Sequence, residues 1–323
     1  MMANNVKTYD EKMLINGKKP IDFFAKKKIF FAISIAIIVA GLICNIFFGT
    51  TLDIQFTGGT MLTYTYEGNV EINDVQKMIQ EATSDRVSFT NSTDFVNGVS
   101  KITVQFPGTK AESTKVIDEL TKDINKAYPD NNFKLEEQSS VDATMGVNFF
   151  LKCLVAIAIA SVLMVVYVTF RFKKIGGLSA GVFGLVALFH DVFVIYCFYV
   201  IFRLPIDSSF IAVALMILGY SLNDTVVIYD RIREERRIFG VKADLVDVFN
   251  VSLTKVIRRT IITTITTMTA VLVVYIVAFV YNLDSVKGFA LPMIVGLVSG
   301  SYSSICVCGP LWVMWQKRKA KKA

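Results

Sequence analysis

Charged residues are scarce in this 323-residue chain and are almost absent from six long stretches. Only 19% of the residues are Asp, Glu, Lys or Arg, whereas 53% are hydrophobic. A water-soluble fold of this length does not normally hide so much apolar surface, so the composition excludes an ordinary soluble globular protein. We therefore expect most of the chain to lie in a bilayer.

Each of the six stretches is long enough to cross a membrane as a helix. About 20 helical residues, at about 1.5 Å per residue, span a hydrocarbon layer about 30 Å thick. The sequence thus predicts an α-helical polytopic membrane protein with six transmembrane helices. These are residues 29–48, 149–170, 178–202, 210–229, 259–281 and 289–315.

The net charge of +7 follows the membrane topology rather than one face of the chain, so no nucleic-acid partner is expected. Basic residues cluster before the first span and after the second, fourth and sixth spans. By the positive-inside rule, the tails 1–28 and 316–323 and the loop 230–258 lie in the cytoplasm. The same rule puts residues 49–148 outside a bacterial inner membrane.

Cysteine is missing from residues 49–148, because all five cysteines fall inside predicted spans. This absence excludes a disulfide framework there. The segment's periodicity predicts strands at 60–66, 86–90, 101–106 and 132–137 and helices at 73–82 and 113–127. This β-α-β-β-α-β order predicts one α+β, ferredoxin-like extracytoplasmic domain between helices 1 and 2. Gly58 and Gly59 predict a sharp turn into its first strand, without the lysine of a phosphate loop.

The cytoplasmic loop 230–258 contains an amphipathic stretch. Leu245, Val248, Phe249 and Leu253 recur at helical spacing within residues 243–257. Two structures fit this pattern. The stretch lies along the membrane surface as a separate helix, or it continues directly into the fifth span.

Asp224 lies inside the fourth span, seven residues before Arg231 at the cytoplasmic end. At about 1.5 Å per residue, this depth is about 10 Å, too deep for an Asp side chain to reach the interface. An ionisable side chain at such a depth costs a few kcal/mol, so it requires a partner or a water-filled path.

The fifth span begins with an unusual polar face. Arg259, Thr263, Thr266 and Thr267 fall at positions i, i+4, i+7 and i+8, so they share one side of the helix. This side is expected to be wet or buried against protein. Because the fourth and fifth spans are antiparallel and meet on the cytoplasmic side, we expect Asp224 and Arg259 to approach each other.

Such a pair has the physics of a proton relay. A guanidinium favours the charged carboxylate and desolvation favours the neutral one, so movement of Arg259 would switch Asp224 between binding and releasing a proton. A proton crossing the membrane potential yields about 2.3 kcal/mol per 100 mV. The alternative is a static ion pair that pins the two helices together.

His190 and Asp191 are adjacent in the third span, and His190 is the only histidine of the chain. Neighbouring residues point in different directions on a helix, so at most one of them can face Asp224 or Arg259. Hydrogen-bonded packing between helices is the alternative role. The pair lacks the further ligands of a metal site, and no cofactor is expected. Asn223 and the threonines offer hard oxygen ligands, so sodium is an alternative to the proton as the coupling ion.

Several strings of the sequence resemble the SecF family over nearly the whole chain. The strongest is GYSLNDTVV at 219–227, followed by YDRIRE at 229–234. Others are FTGGT at 56–60, LFHDV at 188–192 and NVSLT at 250–254. One position departs from the family pattern, since Gln55 stands where the family often has Asp before the Phe-x-Gly-Gly string.

The resemblance implies a non-enzymatic subunit that pairs with SecD and uses the proton gradient to help export preproteins through the SecYEG channel. Asp224 and Arg259 match the family's proton pathway. Their positions in the spans make His190, Asp191, Asn223, Thr263 and Thr267 candidate supporting polar residues. Two alternatives remain open: half of a proton-coupled small-molecule exporter of the resistance-nodulation-division type, and an intramembrane enzyme. The enzyme lacks any nucleophile placed beside a general base in a recognisable motif.

Overall fold

The computed structural model describes residues 13–15, 18–68, 70–83, 87–93, 100–107, 114–240, 243–281 and 283–322. Residues 1–12 of the predicted cytoplasmic tail lie outside this described part. In chain order the main elements are α1 (Lys27–Phe48), α2 (Ile54–Thr57), β1 (Gly59–Tyr66), α3 (Ile72–Thr83), β2 (Ser88–Thr93), β3 (Ser100–Pro107), α4 (Thr114–Ala127), β4 (Lys134–Val141), α5 (Ala143–Arg171), α6 (Gly177–Ile201), α7 (Ser208–Phe239), α8 (Leu245–Val280), α9 (Asp284–Ser303) and α10 (Gly309–Lys322).

The six predicted spans are confirmed as helices. Among the described residues, six helices are long and apolar enough to cross a membrane, and the sixth consists of α9, a π-helical turn at Ser304–Cys308 and α10. Several helices extend beyond the apolar stretch that predicted them. The cause is visible at their N-termini, where Asp142, Asp207 and Asp244 cap α5, α7 and α8 by accepting backbone N–H bonds.

The amphipathic stretch of the loop continues directly into the fifth span. Helix α8 is unbroken from Leu245 to Val280, so a separate surface helix is not observed. Asp244 begins it by accepting the Val246 N–H at 3.0 Å. This bond, helped by Lys317, holds the pKa of the Asp244 carboxyl below its ordinary value.

The helices form a central group and a peripheral group. Large fractions of α6, α7 and the α9–α10 span are buried inside the chain. In α1, α5 and α8, by contrast, only 11% of the most apolar segment of each helix is buried. The peripheral helices therefore offer most of their apolar surface to lipid or to another protein.

Glycines allow the central helices to approach closely. A Cβ on Gly296 of α9 would lie 2.6 Å from Ile217 Cγ1 of α7, and one on Gly300 would lie 3.1 Å from Ser221 Cβ. Gly177 and Gly181 of α6 face the α5 backbone in the same way. The lack of a side chain at these glycines thus allows the close helix contacts.

Residues 59–141 form a separate polar domain, and their elements follow the predicted β-α-β-β-α-β order. The four strands are antiparallel in the order β2-β3-β1-β4. Helices α3 and α4 contribute to one apolar cluster with a single face of the sheet. Its innermost side chains are Leu62, Tyr64, Val75, Ile79, Ile102, Val104, Ile117 and Ile124.

Asp53 joins the polar domain to the membrane helices. Its Oδ2 accepts a hydrogen bond from Gln105 Nε2 of β3 at 2.6 Å, and its Oδ1 accepts the Gln55 N–H at 2.9 Å, which caps α2. The Asp53 N–H donates to the Ile206 carbonyl in the α6–α7 connection at 3.0 Å. One buried carboxylate residue therefore links a strand, a short helix and the start of α7.

The predicted turn before the first strand is present. Gly58 and Gly59 have φ values of 78° and 128°, a region that residues with a Cβ rarely adopt. Gly58 also lies directly against the Ala143 backbone, while a Cβ on Gly146 would lie 3.0 Å from the Phe56 carbonyl. The turn thus packs the polar domain against the beginning of α5.

We expect Gly296→Val to destabilise the helix bundle by about 1–3 kcal/mol, because its side chain would overlap Ile217. The thermal midpoint of the purified chain in detergent measures the effect. Gly219→Ala is the matched control, since a Cβ at Gly219 meets nothing within 4 Å. Equal midpoints for the two variants would contradict the close α7–α9 contact.

Gln105→Leu is expected to loosen the attachment of the polar domain. The variant removes a donor from a buried carboxylate oxygen, a loss of about 1–3 kcal/mol. Hydrogen exchange should become faster in residues 53–59, whereas the exposed-site control Gln138→Leu should leave it unchanged. Unchanged exchange in Gln105→Leu would show that this hydrogen bond does not hold the junction.

Candidate functional site: two buried carboxylates between the membrane helices

Asp224 is buried at the meeting point of three helices. Its side chain belongs to α7 and is only 3% exposed. Its Oδ2 accepts a hydrogen bond from Ser301 Oγ of α9 at 3.1 Å. Ser301 Oγ lies 2.5 Å from Thr264 Oγ1 of α8, where either hydroxyl can donate. A short hydroxyl chain therefore connects Asp224 with α8.

Arg259 lies near this carboxylate but is not bonded to it. The Arg259 side chain is exposed, and it forms no ion pair with Asp224, although its charge acts on the carboxylate at longer range. Asp224 and Arg259 therefore lie near each other, as expected, but their side chains are not in direct contact. The ion pair that joins α7 and α8 is instead formed by Lys255 Nζ and Glu235 Oε1, which lie 2.7 Å apart.

The polar face of α8 points away from the rest of the chain. Thr263 and Thr266 are exposed and Thr267 is half-buried. Their hydroxyls donate to carbonyls of their own helix, among them Thr263 Oγ1 to the Arg259 carbonyl at 3.0 Å. Such bonds satisfy the hydroxyls locally. This face, together with Arg259, thus remains uncovered at membrane depth.

Asp191 of α6 is completely buried, and it meets serines rather than Asp224 or Arg259. Its Oδ1 accepts a hydrogen bond from Ser299 Oγ at 2.7 Å, and its Oδ2 accepts bonds from Ser221 Oγ at 2.9 Å and Ser303 Oγ at 2.7 Å. His190 Nδ1 lies 3.2 Å from Oδ1. We call Asp191 and these three serines the hydroxyl cage.

His190 contributes one ring nitrogen to this arrangement. Its Nε2 is buried and has no hydrogen-bond partner among the described residues, and its ring tilts against Tyr302 at 6.1 Å between centroids. Asn223, by contrast, is exposed, and among the described residues its side chain forms no hydrogen bond with either carboxylate. Within the part of the chain that the structure describes, no group of three or more His, Cys, Asp or Glu side chains is arranged to hold a metal ion.

The serines of α9 were missed by the sequence-based prediction. Ser299 and Ser303 reach Asp191, while Ser301 between them reaches Asp224. One signal was available, because four serines and a glycine crowd into residues 299–304 of an otherwise apolar span. Small uncharged hydroxyls are common in packed membrane helices, so this signal alone does not identify a site.

Residues 120–318 match the family model described as protein export membrane protein SecD/SecF, C-terminal. A protein translocase subunit SecF from Alicyclobacillus acidocaldarius is 32% identical over 310 residues, which cover 95% of this chain and 96% of that protein. The protein translocase subunit SecDF of Bacillus subtilis is 31% identical over 93% of this chain and 39% of its own length.

The fold is also similar to solved structures. A crystal structure of SecDF from Thermus thermophilus, described as a translocon-associated membrane protein, matches with a TM-score of 0.79 and 25% identity over 93% of this chain. SecDF in a super-membrane-facing form matches with a TM-score of 0.60 over 95% of this chain. This chain spans about two fifths of those longer chains, 39% and 40%. Given the family-model match over residues 120–318 and the SecF relative that aligns over 96% of its length, the chain belongs to the SecD/SecF family of protein-export membrane proteins.

Proposed function

We propose that this chain is the SecF-like subunit of a SecD–SecF complex that uses the proton-motive force to assist export of preproteins through the SecYEG channel. Membership of the family supports an accessory role in Sec export. The proton relay formed by Asp224 and Arg259 goes beyond that membership. The observation that carries it is a buried carboxylate with a nearby guanidinium that is not bound to it.

The environment of Asp224 suits reversible protonation. Ionisable groups inside membrane spans are rare and mark ion and proton pathways. Asp224 has one hydroxyl donor and no bonded cation among the described residues, so neither charge state is locked by its partners. The Ser301–Thr264 hydroxyl chain also leads from the carboxylate to the helix that carries Arg259.

Arg259 supplies the switch in this proposal. Because its side chain is exposed and forms no ion pair with the residues that the structure describes, we infer that it can move toward Asp224 or away from it. Approach favours the carboxylate anion and withdrawal favours the protonated acid. The alternative role as a static helix pin lacks the ion pair that it requires.

The polar domain is proposed to be the ferredoxin-like extracytoplasmic domain. Its strand order and two-helix cover suit that fold. The excess of basic residues on the opposite side suits cytoplasmic termini. Asp53 bonds to Ile206, just before α7 begins, and Asp224 lies on the same helix. Movement of α7 at protonation would therefore be transmitted to the domain.

The uncovered polar face of α8 is the proposed contact with SecD. Threonines and a guanidinium at membrane depth are poorly suited to lipid. A second bundle of helices would cover them and enclose Asp224 from the open side. The longer SecDF relatives, of which this chain matches about two fifths, leave room for such a second half.

The intramembrane-enzyme alternative gains no support from the site. In the hydroxyl cage, the serines donate to Asp191 and none contacts the His190 ring within the described residues, so an enzyme's nucleophile and base are not paired. No enzymatic activity and no cofactor are therefore proposed. Membrane lipids are the proposed surroundings of the peripheral helices, and the six apolar helices support a location in the bacterial inner membrane.

Asp224→Asn and Arg259→Ala are expected to lower the gradient-dependent part of preprotein export by at least about tenfold, as expected for loss of a positioned proton-transfer group. Export is measured in vesicles that contain this chain, SecD and SecYEG, under an imposed proton or sodium gradient. Arg258→Ala is the matched control, because Arg258 is an exposed neighbour of Arg259.

A drop under the proton gradient in both variants, with normal export in the control, supports the relay. Unchanged export in assembled Asp224→Asn would mean that the carboxylate has only a structural role. A drop that appears only under the sodium gradient would assign a different coupling ion.

Cysteine cross-linking tests the proposed SecD contact. In a cysteine-free background, Thr266→Cys is expected to cross-link to co-expressed SecD that carries single cysteines along its transmembrane helices. Val162→Cys on the outer face of α5, which is 61% exposed, should give none. Equal cross-linking at the two positions would remove the α8 face as the specific interface.

A further inference from the structure

We propose that the hydroxyl cage around Asp191 is a binding site for one sodium ion, separate from Asp224. The proposal concerns the binding of sodium by this chain. If the cage does not bind sodium, the proposed relay at Asp224 is unaffected. Four features carry the proposal: the oxygen donors, the charge balance, the freedom of the hydroxyls and the backbone beside them.

The donors are of the kind that hard cations prefer. Carboxylate, hydroxyl and carbonyl oxygens are the ligands of such ions. Each of the three serine oxygens lies 2.7–2.9 Å from one of the two Asp191 carboxylate oxygens. The Gly300 carbonyl lies beside them, 3.2 Å from Ser303 Oγ and 3.5 Å from Ser221 Oγ. The cage therefore supplies enough oxygen atoms for a small cation.

The charge balance favours a monovalent ion. Asp191 has no solvent exposure and forms no ion pair with any lysine or arginine in the described part of the chain. A buried carboxylate without a counter-charge is costly. One sodium ion would neutralise it, whereas a divalent ion would leave a net positive charge in the membrane. His190 can remain a neutral donor to Oδ1 in this arrangement.

The hydroxyls have other acceptors to which they can turn. Ser303 can donate to the Gly300 carbonyl instead of to Asp191, and Ser221 can donate to the same carbonyl or to Ser304 Oγ at 3.5 Å. A hydroxyl that turns its proton away presents a lone pair to the centre of the cage. The same side chains are thus able to hold the carboxylate when the cage is empty and to coordinate an ion when it is filled.

The backbone beside the cage is irregular. The π-helical turn Ser304–Cys308 begins next to Ser303, and all five of its residues are buried. Single π-helical turns inside α-helices occur frequently at functional sites. Interrupted membrane helices also expose carbonyl groups that coordinate sodium ions in transporters. The turn places Ser304 Oγ 3.0 Å from Thr225 Oγ1, which extends the polar lining along α7.

The test measures sodium binding by the purified full-length chain in lipid nanodiscs. Thermal midpoints are followed by the intrinsic fluorescence of the buried Trp312 in sodium chloride and in potassium chloride at equal ionic strength. An ion that binds only the folded state raises the midpoint as its concentration exceeds the dissociation constant. Equilibrium binding of radioactive sodium gives the affinity and the stoichiometry directly.

The expected result is a higher midpoint in sodium than in potassium and binding of about one ion per chain. Asp191→Asn should abolish the difference, and Ser303→Ala should weaken binding by at least about tenfold. Ser161→Ala is the matched control, because this buried serine bonds only to the Ile157 carbonyl of its own helix. Ser161→Ala and Asp224→Asn should each bind sodium as tightly as the parent and keep its difference in midpoint between sodium and potassium.

Equal midpoints and no sodium binding in the parent would overturn the proposal. Full sodium binding in Asp191→Asn, or its loss in Asp224→Asn alone, would overturn it as well. If Asp191→Asn does not fold, Ser299→Ala and Ser303→Ala decide the matter, since unchanged affinity in both would exclude the cage.

Discussion

The close contact between α9 and α7 is the constraint on which the rest of the site depends. At Gly296 and Gly300 any side chain would press on Ile217 or Ser221. Helices in hydrocarbon gain little by burying apolar surface, so small residues and interhelical hydrogen bonds hold them together. The approach brings serines of α9 to carboxylates on two other helices, Asp191 on α6 and Asp224 on α7.

The two carboxylates differ in what encloses them. Asp191 is surrounded on all sides by this chain, whereas Asp224 lies near the uncovered face of α8 that carries Arg259. A carboxylate that the chain encloses suits a bound ion or a role in helix packing. A carboxylate beside a cation that can move suits the uptake and release of a proton driven by the gradient across the membrane. Asp53 then connects the polar domain with Ile206, just before the helix that carries Asp224 begins.

The sequence predicted the architecture better than the site. The bilayer imposes one helix length, so hydropathy was enough to find six spans. Periodicity was enough to order the strands and helices of the polar domain, but α2 has four residues and is too short to show a period. Asp224 was identified from the sequence because placing an ionisable side chain inside the membrane costs free energy. Ser299, Ser301 and Ser303 were not, because their role depends on which carboxylate each one faces. The direction of the Arg259 side chain was not predicted either, because residue spacing places Arg259 on a helix face without fixing what its long side chain contacts.

Infrared difference spectroscopy of the chain with SecD in lipid, recorded between high and low pH, tests the central claim most directly. The account predicts a carbonyl-stretch band of a protonated carboxyl group in the parent. This band is lost in Asp224→Asn, and in Arg259→Ala the pH at which it reaches half of its intensity is shifted. The same band with the same midpoint in all three proteins would show that Asp224 does not exchange a proton, and it would contradict the account.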